Sequence, residues 1–246
     1  MYNAATPIAG APEAVRWVRE QTIPYRFVTN TTSRPRRALV DKLAGFGIPA
    51  AEAEILTPAA VTVEWLRAHG EGASALFLRP STRAEFHGLP CVAEDAESGA
   101  SYVVVGDLGD LWDYRTLNRA FRLLHHNPEA RIIALGMTRY WLAPDGISLD
   151  VAPFVAALEH ATGREALVFG KPSAAFFQAA ARSLGLECRE VLMIGDDIAT
   201  DVGGAQAAGL KGALVKTGKF RPLDLEGSIT PDVTLDSIAD LSTWWG

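Results

Sequence analysis

The chain has 246 residues, 48% hydrophobic and 21% charged, with a net charge of −6 and a pI near 5.4. That length accommodates one large domain or two smaller ones with a sizeable core, and the acidic balance without a long basic run excludes general attraction to nucleic acid or an anionic membrane. Cys91 and Cys188 lack metal-ligand spacing and are too few for a disulfide framework. No apolar stretch approaches the roughly 20 residues of a bilayer span and the opening residues carry no signal core, so a cytoplasmic protein is expected.

Short β-rich runs alternate with amphipathic stretches. Pro24 to Val28 predicts a strand, and Ser33 to Phe46 a helix with Ser33 as cap and Pro35 in its first turn. A helix follows over Pro58 to His69, with Val61, Trp65 and Leu66 on one face. Ala75 to Leu78 and Tyr102 to Val105 read as strands, Tyr114 to His126 as a helix, and Arg131 to Leu135 as a strand. The series continues with a helix around Pro153 to Thr162, the strand Leu167 to Phe169, a helix from Ser173 to Leu184 and the strand Val191 to Ile194. It closes with the helix carrying Ala205 to Ala208 and the strand Ala213 to Val215. Such alternation predicts an α/β protein with a parallel sheet covered by helices on both faces.

Chemistry concentrates at strand ends. Asp196, Asp197 and Asp201 follow the apolar run Glu190 to Ile194, where open α/β sheets place ligands, and clustered carboxylates suit a hard cation such as Mg²⁺. Taken alone, the same acids read as caps that complement a helix dipole. Lys171 stands between a strand and a helix start, a placement that favours an intervening anion. Thr29, Asn30 and the neighbouring hydroxyls end another strand. Arg34, Arg36 and Arg37 follow, and read equally as anion contacts or as a solvated basic surface. A P-loop over Gly212 to Lys219 fails on spacing and on Phe220, no Gly-x-Ser-x-Gly elbow is present, and the five histidines have no ligand spacing.

In order along the chain stand Pro7-Ile8-Ala9-Gly10, Val28-Thr29-Asn30, Arg139-Tyr140-Trp141, Gly170-Lys171-Pro172 and Met193-Ile194-Gly195-Asp196-Asp197-Ile198. Asp201-Val202-Gly203-Gly204-Ala205-Gln206 and Thr217-Gly218-Lys219-Phe220-Arg221-Pro222 complete the set. Jointly they resemble the haloacid dehalogenase-like phosphatases, in the subgroup with a large cap inserted between the second and third motifs. The resemblance spans nearly the whole chain. It implies a Rossmann-like three-layer parallel-sheet core over 1–69 and 152–246 and an α/β cap over 70–151. It also implies Thr29 as the second-motif hydroxyl, Lys171 as the third-motif lysine and Asp196 as the Mg²⁺ ligand, with Asp197 and Asp201 as supporting acids. Asn30 is expected at the phosphate. Arg139 is expected to pair with anionic substrate groups, while Tyr140 and Trp141 either stack on substrate or pack inside the cap. Small phosphorylated metabolites or pyrophosphate are the implied substrates, and a homodimer is a further expectation because caps often form oligomer contacts.

One part of the pattern is not matched. The family's attacking aspartate ends its first, central strand in an Asp-x-Asp or Asp-x-Ser segment followed by Gly-Val, and this chain contains no such segment. Asp107 and Asp110 are set aside as a displaced nucleophile on motif order and spacing. The expectation is therefore a sheet without its central first strand and no turnover by the family route from the 246 residues alone. Either the start lies downstream of the natural one, which is the favoured account, or a partner strand or a rearranged N-terminus occupies the gap. The competing class is a catalytically silent binding or regulatory protein. Mg²⁺-dependent hydrolysis of a generic phosphate ester separates the two.

Overall fold

A computed structural model of the chain describes residues 1–3, 6–143 and 146–246, with the backbone alone at 142 and 143. Ala4 and Ala5 in the opening segment, and Pro144 and Asp145 in the expected cap, lie outside the described residues. The chain divides into two compact units, one of residues 1–28, 36–56 and 171–246 and the other of 29–35 and 57–170.

The second unit is built on a parallel sheet in the order Leu167–Val168, Arg131–Ala134, Ala100–Val105 and Ala73–Phe77. Val103, Val104, Ile132 and Ile133 are fully buried, and such β-branched runs suit strands covered on both faces. On one face lie the helices Tyr114–His126 and Val151–Thr162, whose Ala120, Leu123, Leu124, Val155 and Leu158 join Val103, Val105 and Ile132 in one apolar cluster. Asp113 starts the first of these helices by accepting the Thr116 N–H at 2.7 Å, and Trp112 just before it stacks between Phe77 and Phe154. Alternation turns Tyr102 to the opposite face, where the helix Pro58–His69 meets it through Trp65 at 5.8 Å between ring centroids.

The helix Val151–Thr162 was expected in the core domain but packs in this unit. The reason is the next strand, since Leu167 and Val168 pair with Ile133 and Ala134 and hold the chain in the same sheet. The unit thus extends beyond the expected 70–151 at both ends.

In the first unit, Leu192–Gly195 runs parallel to Lys211–Val215 and that strand runs parallel to Val233–Leu235. Phe27–Val28 and Ile55–Leu56 form a separate parallel pair, and Tyr2–Asn3 and Thr6–Pro7 an antiparallel one. Among the described residues no strand joins Phe27–Val28 to Leu192–Gly195. Side chains unite what the backbone does not, because Phe27 and Ile194 pack with Tyr2 and Ile8 onto one cluster of Ala11, Val15, Leu39, Leu43 and Ile238. Val28 meets Met193 in a second cluster with Phe177, Ala205 and Leu210. The α/β class with a parallel sheet holds. The strand that the resemblance places at its centre has no counterpart among the described strands.

The helix expected over Ser33 to Phe46 is shorter, Arg36–Gly45. Ser33 does not start it, because residues 29–35 are fastened elsewhere. Thr82 donates its hydroxyl to the Thr32 carbonyl at 2.8 Å, the Asp107 N–H donates to Thr32 Oγ1 at 3.3 Å, and Ser81 donates to the Ser33 carbonyl at 3.4 Å. Thr82 is buried, so Thr82→Val should leave the Thr32 carbonyl short of a donor. A loss of about 1–2 kcal/mol in urea unfolding is expected, as a lower midpoint at unchanged slope. Among the described residues, no helix is long and apolar enough to cross a membrane.

Candidate functional site

The strand Leu192–Gly195 delivers Asp196 and Asp197 at its carboxyl end, and the π-helical turn Ile198–Gly203 carries Asp201 back beside them. Each acid has its own partners. Asp197 caps the turn, its Oδ1 accepting the Ala199 N–H at 3.2 Å and the Thr200 N–H at 2.9 Å. Burial presses the Asp197 carboxyl upward, but the Thr200 N–H and the Lys219 ammonium outweigh it and hold the group below the ordinary carboxylate range. Asp196 Oδ2 accepts the main-chain N–H of Lys219 at 2.7 Å. The Met1 amine also feels Asp196 and Asp201; burial pushes it below its ordinary value and the two charges oppose that.

Asp201 is the buried member. Its Oδ1 meets Lys171 Nζ at 2.7 Å, with only 10% of the lysine side chain and 6% of the aspartate side chain exposed. Asp201 Oδ2 accepts the Asp197 N–H at 3.3 Å, so one carboxylate ties the loop after the strand to the lysine 30 residues earlier. Gly195 permits this approach, since a Cβ there would overlap the Asp201 carboxylate. Gly218 does the same for Asp196. Its φ of 61° lies in the left-handed region, and a Cβ would overlap Asp196 Oδ2.

The fit to Mg²⁺ can be judged from the donors. They are hard carboxylate oxygens, with Asp196 partly buried at the strand end, and that chemistry suits Mg²⁺. Among the described residues no group of three or more His, Cys, Asp or Glu converges as a metal cage. Asp201 is committed to Lys171 and Asp197 to its cap and Lys219, so the set fits a largely hydrated Mg²⁺ on Asp196.

Thr29 and Asn30 fall in the second unit. Thr29 Oγ1 accepts the Thr31 N–H at 3.3 Å, which bends the loop locally, and Asn30 Oδ1 lies beside Gly170. Arg139 is exposed, at the foot of an antiparallel hairpin of Tyr140–Ala143 and Gly146–Leu149. Tyr140 is 61% and Trp141 44% exposed, so the reading in which they fill the cap interior does not hold. Arg34 and Arg37 are exposed, and Arg37 forms an ion pair with Asp41 at 3.6 Å. Asp107 bonds Arg79 at 3.2 Å and the Gly109 N–H at 2.8 Å, which gives it a structural task at the end of its strand.

Models of known families match both ends of the chain. "Haloacid dehalogenase-like hydrolase" covers residues 1–88 and "HAD-hydrolase-like" covers residues 168–241. Phospholysine phosphohistidine inorganic pyrophosphate phosphatase of Rattus norvegicus is 38% identical over 98% of this chain and 87% of its own length. The chain belongs to the haloacid dehalogenase-like hydrolases. Haloacid dehalogenase-like hydrolase domain-containing protein 2 of Bos taurus, 40% identical, shares 93% of this chain and 84% of its own length. Among solved structures, a p-nitrophenyl phosphatase from Archaeoglobus fulgidus matches with a TM-score of 0.87 at 29% identity, over 98% of this haloacid dehalogenase-like chain and 93% of that one.

Sequence reasoning missed one arrangement in each unit of this haloacid dehalogenase-like hydrolase. Lys219 contacts both Asp196 and Asp197, although its stretch drew attention only as part of the resemblance and as a failed P-loop. The fastening of the Thr29 loop through Thr32, Thr82 and Asp107 also carried no sequence signal, because its partners lie 50 and 75 residues apart.

Proposed function

We propose that the chain carries the site of a phosphatase for small phosphorylated metabolites or pyrophosphate that uses Mg²⁺ and an aspartyl-phosphate intermediate, and that residues 1–246 alone are inactive because they lack the attacking aspartate of the family's pattern. The observation that carries this reading is the buried Lys171–Asp201 pair beside Asp196 at the carboxyl end of a parallel strand. A lysine held there by a buried carboxylate is oriented to meet a phosphoryl oxygen. Thr29 and Asn30, in the second unit, are phosphate-contact candidates on the resemblance alone. Asp196 would hold Mg²⁺, which supplies charge neutralisation to the phosphoryl group, while Asp197 and Asp201 keep the loop in place. The names of the Rattus norvegicus relative and of the A. fulgidus phosphatase support a phosphorylated substrate.

Exposed Arg139, Tyr140 and Trp141 are the candidates for contact with the rest of the substrate. A homodimer in the cytoplasm is the proposed setting. The attacking carboxylate is the part that residues 1–246 do not supply in the family's pattern. That observation favours a second reading, a silent member that binds phosphate and Mg²⁺.

The test is Mg²⁺-dependent phosphate release from p-nitrophenyl phosphate and from pyrophosphate. It compares the 246-residue chain with a form preceded by an apolar segment ending in Asp-x-Asp-Gly-Val. Turnover by the extended form alone is the expected result. Binding of phosphate and Mg²⁺ without turnover in either form would support the silent reading, and neither binding nor turnover would refute both.

A further inference from the structure

The loop Thr217 to Pro222 closes directly on the acids. Gly218 brings its backbone against Asp196, and Lys219 then makes two different contacts, its N–H to Asp196 Oδ2 at 2.7 Å and its Nζ to Asp197 Oδ2 at 3.2 Å. Asp197 Oδ1 is taken by the Ala199 and Thr200 amides, so the ammonium partners the other oxygen. The Lys219 side chain is 73% exposed, and an ion pair so open to water adds little to stability. Its position has another consequence. A water-exposed positive charge sits against the carboxylates that a divalent cation would approach, and like charges at that range repel.

We propose that Lys219 is an internal counter-cation that competes with a divalent cation for the Asp196–Asp197 carboxylates and thereby weakens the site's hold on it. The proposal rests on the reading of Asp196 as a cation ligand. Mg²⁺ arrival would release the ammonium from Asp197 into solvent, while the main-chain bond to Asp196, which does not depend on the side chain, stays.

Calorimetric Mg²⁺ titration of the full chain at low ionic strength tests it. Lys219→Met should bind Mg²⁺ on the order of fivefold more tightly than the natural chain, and the difference should shrink at about 0.5 M salt. Lys219→Arg keeps the charge and should bind like the natural chain. Lys216→Met removes a nearby charge that pairs with Asp236 instead, and should also leave affinity unchanged. Equal or weaker binding by Lys219→Met, or the same tightening in Lys216→Met, would overturn the proposal while leaving the cation site intact. No Mg²⁺ binding in any form would remove the site and the proposal together. Retained affinity in Lys219→Arg is the readout that a purely structural role would not give.

Discussion

Lys171→Met should destabilise the protein by about 3–5 kcal/mol, because it strands a buried carboxylate. Asp201 has its ammonium partner at 2.7 Å and almost no access to water, so the charge left behind can be neither screened nor solvated. The Asp197 N–H at 3.3 Å is too weak a donor to compensate alone. Urea unfolding measures the loss. The double variant Lys171→Met with Asp201→Asn should recover most of it, since an amide carries no charge and Asn can still accept the Asp197 N–H. A single-variant loss below about 1 kcal/mol would mean that water reaches the pair and that the lysine is not held as described.

Asp196→Asn has its large effect on chemistry. The fold should tolerate it, because the asparagine oxygen can still accept the Lys219 N–H. Removing the charge from the carboxylate proposed to hold Mg²⁺ should abolish measurable Mg²⁺ binding. It should also reduce phosphate release by the extended form roughly a hundredfold or more, in line with the several kcal/mol a bound cation contributes to such transition states. Initial rates against Mg²⁺ concentration, with thermal unfolding alongside, make the measurement. An unchanged rate would move the cation to another residue.

Much of the fold could be read from periodicity. The helices Pro58–His69 and Tyr114–His126 have the bounds their apolar spacing predicts, and the second is amphipathic with Leu123 and Leu124 inward. The helix Ala11–Glu20 is not among the elements predicted from the sequence. Ala11, Ala14, Val15 and Val18 do stand at helical spacing and pack inward, but Gly10 just before the helix and Pro12 in its first turn carry loop chemistry that masks its start. Ile55–Leu56 and Val233–Leu235 are too short to show a period, and the hairpin at Tyr140 leaves Ile147 and Leu149 exposed, so it offers no inward stripe.

In the site, the acids were legible because they follow an apolar strand. Their partners were not, since Lys171 reaches Asp201 across 30 residues and Lys219 reaches Asp197 across 22, and only tertiary packing decides which lysine meets which acid.

The fastening of residues 29–35 to Thr82, Ser81 and Asp107 has a practical meaning for exchanging pieces between relatives. A chimera cut at 70 and 151 would separate the Thr29 loop from the residues that shape it and divide the helix Val151–Thr162 from its cluster. Transplants that carry 29–35 together with 57–170 keep these hydrogen bonds and that cluster within one donor. Recombination libraries should therefore yield more folded members with junctions near 28/29, 35/36, 56/57 and 170/171 than with junctions at the ends of the inserted segment.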